Sequence, residues 1–112
     1  MELKNTSIAS GSSCAHLSYL GDAVIGKNVN IGCGVVTVNY DGKTKHKTII
    51  EDNAFVGSNS NLIAPITVHK NSMIAAGSTI NQDVEENDLA IARARQEVKK
   101  EYVSKKKEKE VK

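Results

Sequence analysis

Residues 50–84 read IEDNAFVGSNSNLIAPITVHKNSMIAAGSTINQDV, and in this stretch Ile50, Val56, Leu62, Val68, Ile74 and Ile80 stand six apart without a slip. Four residues after each comes a second row, Ala54, Ser60, Ile66, Ser72, Ser78 and Val84, small except for two aliphatics. A helix repeats its apolar residues three and four apart, and a half-buried strand every second residue. A period of six fits neither. It fits a parallel β-helix of hexapeptide repeats, in which each six-residue step is a short strand plus a corner. Three steps complete a coil, so the aliphatic row stacks in the bore and the small row sits at tight corners.

The same pattern runs upstream. Ile8, Cys14 and Leu20 are six apart, the spacing drops by one to Ile25, and Ile31 and Thr37 resume it. Ser12, Ser18, Val24, Val29 and Val35 form the following row, and glycines 21, 26, 32 and 57 come directly after an aliphatic residue. Between Thr37 and Ile50 the repeat is interrupted by a segment containing Asp41-Gly42, a hairpin-turn signal between β-prone residues. This predicts a loop at 38–49, extruded from a β-helix that occupies residues 1–84 in about four coils. Insertions that leave a repeat serve binding or assembly. Residues 85–112 are expected to form a C-terminal extension: Asp88 as N-cap, a helix from about Leu89 to Val103, and a frayed Lys-rich end.

At 112 residues, the chain has the length of one domain. A globular core of that size would be modest, but a solenoid needs only contact between neighbouring coils. The net charge of +2 hides an asymmetry: residues 1–98 carry 8 basic and 10 acidic groups, and residues 99–112 carry 7 Lys and 3 Glu. The basic tail reads as a solvated end, and the aromatic and base-reading motifs of nucleic-acid binders are missing. Cys14 and Cys33 lack CxxC spacing, which argues against a zinc site or a disulfide framework. Cys14 falls in the inward row. With no leader pattern and no apolar run of about 18 residues, a cytoplasmic protein without membrane contact is expected.

The stretches AHLSYLGDAVIGKNVNIGCG, VTVNYDGKTKHKT, AFVGSNSNLIAPITV, IAAGSTI and DLAIARARQ occur in this order. Together they resemble the C-terminal acetyltransferase part of the bacterial bifunctional glucosamine-1-phosphate N-acetyltransferase / N-acetylglucosamine-1-phosphate uridyltransferase family, from Glu2 to about Tyr102. The family's nucleotidyltransferase domain and earlier coils have no counterpart in this sequence, so a fragment or truncated relative is expected, without uridylyl transfer. The resemblance implies a left-handed coil, a homotrimer with acetyl sites shared between subunits, and acetyl transfer from acetyl-CoA to the amine of glucosamine 1-phosphate. That reaction belongs to UDP-N-acetylglucosamine and cell-wall precursor synthesis. The alternative is a catalytically poor solenoid with a structural or assembly role only.

Residue by residue, the resemblance implies His16 as general base, since a neutral imidazole titrates near pH 7. It implies Lys4, Tyr19, Asn30 and Lys45 around the sugar phosphate, supplying ammonium, hydroxyl and amide groups. Asn39 and Tyr40 match positions at the acetyl-CoA and the reacting centre. Cys33, Ser58, Ala76 and Arg93 match the acetyl-CoA path, Arg93 as a partner for a CoA phosphate, with Arg95 either assisting or exposed. His46 and His69 match no motif and are expected to be exposed. The gaps of 30 and 23 residues between the three histidines do not suit the three-imidazole zinc site of γ-type carbonic anhydrases, so no metal is expected.

Overall fold

The structure, a computed structural model, describes residues 1–15 and 17–111, and side chains up to 107. Its strands are β1 (Glu2–Lys4), β2 (Ser7–Ile8), β3 (Ser13–Cys14), β4 (Tyr19–Gly21), β5 (Ala23–Ile25), β6 (Asn30–Ile31), β7 (Val36–Val38), β8 (Thr48–Ile50), β9 (Phe55–Val56), β10 (Asn61–Ile63), β11 (Ile66–Val68), β12 (Met73–Ile74), β13 (Thr79–Ile80) and β14 (Leu89–Ala90). One helix, α1 (Tyr102–Val111), follows. The strands form three parallel sheets, ordered β1-β4-β7-β10-β13, β2-β5-β8-β11 and β3-β6-β9-β12-β14. The three sheets in that order are faces A, B and C, which successive strands visit in turn, and the chain is a left-handed parallel β-helix of four coils and most of a fifth.

The six-residue row is the bore. Ile50, Val56, Leu62, Val68 and Ile74 are 0% exposed and Ile80 is 5% exposed, stacked with Leu20, Ile25 and Ile31. Burying one such side chain contributes about 1.5–3 kcal/mol. Four serines of the second row, Ser18, Ser60, Ser72 and Ser78, are buried; the first three donate to backbone carbonyls (of Gly32, Ala75 and His69), and the Ser78 hydroxyl accepts the Ala92 amide. A small hydroxyl at a tight corner thus fills space and satisfies a carbonyl that the turn leaves unpaired.

Each described corner at the B–C and C–A edges also takes a left-handed residue. Asn28, Asn53, Asn71 and Asn87 stand at the B–C edge with φ between 56° and 68°, and Gly34, Asn59 and Gly77 at the C–A edge. Asparagine is the side chain that tolerates this region best after glycine.

Three expectations are corrected. Val24 is exposed, and Ala23 points inward in register with Thr48, because the corner before it is one residue short. Val84 pairs with Val68 and so belongs to the bore row, not the corner row. The segment from Leu89 does not start a helix: β14 completes face C, with the amides of Met73, Ala75 and Thr79 donating to the carbonyls of Asp88, Ala90 and Ala92. The unpaired edge of the fourth coil supplies partners to this backbone, which outweighs a loosely periodic helical pattern. The β-helix therefore continues past 84. The helix forms instead in the Lys-rich tail that was expected to fray, where Lys and Glu are strong helix formers.

Candidate functional site

Bore residues step from face B to face C, and from face C to face A, by six residues every time (Ile25 to Ile31 to Thr37, Ile50 to Val56 to Leu62, Val68 to Ile74 to Ile80). The A–B edge behaves otherwise. Leu3 to Ile8 and Leu20 to Ile25 take five residues, Thr37 to Ile50 thirteen, Leu62 to Val68 six and Ile80 to Val84 four. All of the irregularity of the described solenoid is on one edge, and one group of the candidate polar side chains gathers there.

The loop between β7 and β8 leaves from this edge. Tyr40 and Lys45 form an antiparallel bridge, and the His46 amide donates to the Asn39 carbonyl at 2.6 Å, closing the base. At the tip, one Asp41 carboxylate oxygen accepts the amides of Lys43 and Thr44 at 2.8 Å each, and the other meets His46 Nε2 at 2.8 Å. The Thr44 amide, then His46 and the Lys43 amide, hold the Asp41 carboxyl well below the usual range. This is a side chain replacing backbone turn bonds, as aspartate does at tight turns.

Beneath the loop, Gly21 is an empty place. A Cβ there would lie 2.6 Å from Asn39 Nδ2 and 2.7 Å from the Tyr19 hydroxyl oxygen, so the missing side chain lets these two groups converge. Asn39 Nδ2 donates to Asp22 Oδ2 at 2.7 Å, and Asn5 Nδ2 donates to Asp22 Oδ1 at 3.3 Å. The Asn39 bond lowers the Asp22 pKa most; desolvation opposes it, and the Asn5 bond and the Lys45 and Lys4 charges add to the lowering. Lys4, Tyr19, Asn39 and Lys45 are thereby brought into one neighbourhood, with Tyr40 exposed on the loop beside them.

Cys33, Ser58, Ala76 and Arg93 lie elsewhere, in a single column up the C–A edge. The Asn59 amide donates to the Cys33 carbonyl and the Gly77 amide to that of Ser58, each at 2.8 Å, and Arg93 Nη1 donates to the Ala76 carbonyl at 2.6 Å. Gly32 and Gly57 make the stack possible, since a Cβ on either would come within 2.6 Å of the next coil's backbone nitrogen. Asn30 joins neither group: it stands on the outer surface of face C between Ser13 and Phe55. His16 lies outside the described residues. Its neighbour Leu17 has φ +62° and is 80% exposed, in the C–A corner position that Gly34, Asn59 and Gly77 fill in other coils.

Two histidines expected to be exposed are half-buried and paired: His46 with Asp41, and His69 Nδ1 with Glu51 Oε1 at 3.0 Å. Asn5, Asp22 and Asp41 escaped the sequence reading as site residues. The shortened steps from Leu3 to Ile8 and from Leu20 to Ile25 were the available signal for Asn5 and Asp22, since a corner with a residue missing must be closed by side chains, and the turn signal of Asp41-Gly42 was the one for Asp41.

Among known sequences, residues 47–82 match the bacterial transferase hexapeptide (six repeats) family model. The bifunctional protein GlmU of Brevibacillus brevis is 62% identical over 105 residues, 94% of this chain, and that of Clostridioides difficile is 60% identical over 110 residues, 98% of the chain. The chain spans only 23% and 24% of the length of these two relatives. Among solved structures, the polySia-specific acetyltransferase NeuO superposes with a TM-score of 0.61 at 17% identity, covering 98% of this chain and 62% of that one. Serine acetyltransferase isoform 3 of Entamoeba histolytica, in complex with cysteine, gives 0.63 at 21%, covering 92% and 38%. At these identities the structural likeness carries the fold.

Proposed function

We propose that this chain, a close relative of a stretch of the bifunctional GlmU proteins, transfers acetyl from acetyl-CoA to the amine of glucosamine 1-phosphate. The observation that carries the reading is the convergence of Lys4, Tyr19, Asn39 and Lys45 at the irregular A–B edge. Two ammonium groups suit a sugar phosphate, and a hydroxyl beside an amide suits sugar hydroxyls and a reacting carbonyl. Asn30 is the exception on the acceptor side: on face C it could reach the sugar only if another element were brought to it.

In this mechanism His16 takes a proton from the substrate ammonium, and the freed nitrogen attacks the thioester carbonyl carbon. The oxyanion of the tetrahedral intermediate is steadied by donors at the site, the carbon–sulfur bond breaks as the nitrogen gives up its second proton, and the departing CoA thiolate takes up that proton. The column of Cys33, Ser58, Ala76 and Arg93 would hold the CoA arm, with Arg93 meeting a phosphate.

Asn39 and Arg93 occupy different edges of the prism, separated by face A, whose six-residue step spans about 20 Å at most when extended at roughly 3.3 Å per residue. Two copies arranged with the A–B edge of one facing the C–A edge of another would bring both groups to one acetyl-CoA. The family resemblance implies a homotrimer with shared sites, and a head-to-tail contact between these two edges is of the kind that closes into a ring. The test is free-thiol release from acetyl-CoA with glucosamine 1-phosphate as acceptor. Release dependent on the amino sugar phosphate supports the reading; none from a folded trimer leaves a structural solenoid.

A further inference from the structure

Asp22 takes no part in the chemistry just described, yet the A–B edge is tied through it. Its amide donates to the Lys4 carbonyl at 2.8 Å, and its carbonyl accepts the Thr48 amide at 3.1 Å. Its carboxylate accepts the side-chain amides of Asn39 and Asn5. One residue thus joins the first coil, the start of the loop at Asn39 and the return of the loop at Thr48. It does so at φ +50°, a conformation that most side chains avoid and that aspartate and asparagine tolerate.

The chemistry of the pair has a direction. A carboxylate can only accept, so the nitrogen end of the Asn39 amide must face Asp22. One N–H is spent on that bond. The carbonyl oxygen and the second N–H of Asn39 then face away from the carboxylate, and the amide cannot flip without setting oxygen against oxygen. The Lys45 and Lys4 charges lie close enough to act on the same carboxylate. We infer that Asp22 is a positioning residue for acetyl transfer, fixing which way the Asn39 amide points. This rests on the function proposed above.

The test uses the full chain in its assembled form. Asp22→Gly removes the carboxylate and keeps the positive φ free of strain. It is expected to lower kcat by about 10- to 100-fold, the range for a reacting group slightly misplaced, with KM for acetyl-CoA changed by less than about threefold. Asp22→Asn leaves an oxygen for Asn39 to donate to, and the Asn5 amide can rotate to match, so kcat should return to within about threefold of the parent. On an Asn39→Ala background, Asp22→Gly should cost no more than about twofold further, as expected of residues acting through one contact. Full kcat in Asp22→Gly, or an undiminished loss on Asn39→Ala, overturns the inference. A readout independent of activity is the Asn39 side-chain NH2 resonance, which should shift in Asp22→Gly and titrate with the Asp22 carboxyl. If it does neither, the inference fails even in an active enzyme. If it does both in a chain that releases no thiol, the orientation of Asn39 stands and the acetyl-transfer reading fails.

Discussion

The C–A and A–B edges of this prism are made by the same chain with the same repeat, and they differ in what they can carry. At the C–A edge every step is six residues, the backbones of successive coils bond directly, and the side chains that could contact a ligand form a straight column ending at Arg93. At the A–B edge the steps run from four to thirteen residues, and side chains close what backbone bonds leave open: Asp22 with Asn39 and Asn5, Asp41 with His46. Regularity gives a rail along which a long ligand can lie. Irregularity gives a place where unlike groups converge.

The largest expected effect falls on the proposed base. His16→Ala should lower turnover by about 10²- to 10⁴-fold, the usual span for general-base loss, with acetyl-CoA binding little changed. Because a protonated imidazole cannot accept a proton, parent activity should also fall at acid pH. Steady-state kinetics with equilibrium binding of acetyl-CoA checks both, and near-full turnover would remove His16 from the mechanism.

The contrast between edges can be broken directly by insertion. One glycine added between Gly42 and Lys43 enters the loop tip, and lengthening a loop of this kind costs under about 1 kcal/mol. The same glycine between Ser58 and Asn59 puts the residues beyond it out of step at a regular corner. Leu62, fully buried in the bore, would then lose its place, a loss comparable to large-to-small core substitution at about 2–5 kcal/mol. Denaturant melts of the two insertions should differ by most of that amount; equal losses would mean that the edges are not mechanically distinct.

Much of this was legible beforehand. Ile50 through Ile80 announced the bore, the serine row announced the corners, and Asp41-Gly42 announced the turn of the loop. The A–B edge was not legible, because a periodicity counts steps and is silent about which corner absorbs an odd one. That is why the count puts Val24 in the corner row, when it is exposed and its neighbour Ala23 is the buried residue. The strand at Leu89–Ala90 was hidden for another reason: its fate depends on the open edge of a coil sixteen residues earlier, which no local propensity reports. Of the site residues, Lys4, Tyr19, Asn39 and Lys45 are gathered, whereas Asn30 stands apart.

A smaller effect is expected where the loop returns to the bore. Thr48 is fully buried, and its hydroxyl has no hydrogen-bond partner. Thr48→Val keeps the shape and removes the unpaired group, so it should stabilise the chain by about 1 kcal/mol, at the low end for an unsatisfied buried polar atom. Thermal unfolding would read this as a modest rise in Tm, and a fall would mean that the hydroxyl has a role in the fold.

The smallest effect concerns acid. Asp22 and Asp41 have pKa values lowered by folding, so each contributes stability above the unfolded carboxylate value of about 4 and loses it as pH falls towards the folded value. The loop should therefore loosen below about pH 4 before the bore does, because the buried residues among those described include no carboxylate. Amide exchange at Lys43 and Thr44 compared with Val56 and Leu62 would show it.

The most direct test of the two-edge account is subunit mixing. Asn39→Ala removes a group from the A–B edge, and Arg93→Ala removes one from the C–A edge. The two variants would be unfolded together, refolded into mixed assemblies, and assayed for thiol release with glucosamine 1-phosphate. If each site is built from opposite edges of neighbouring copies, random mixing restores intact sites at roughly one in four, and activity should rise well above that of either variant alone. Activity that stays at the average of the two variants would mean that each chain builds its site by itself, and would contradict the account.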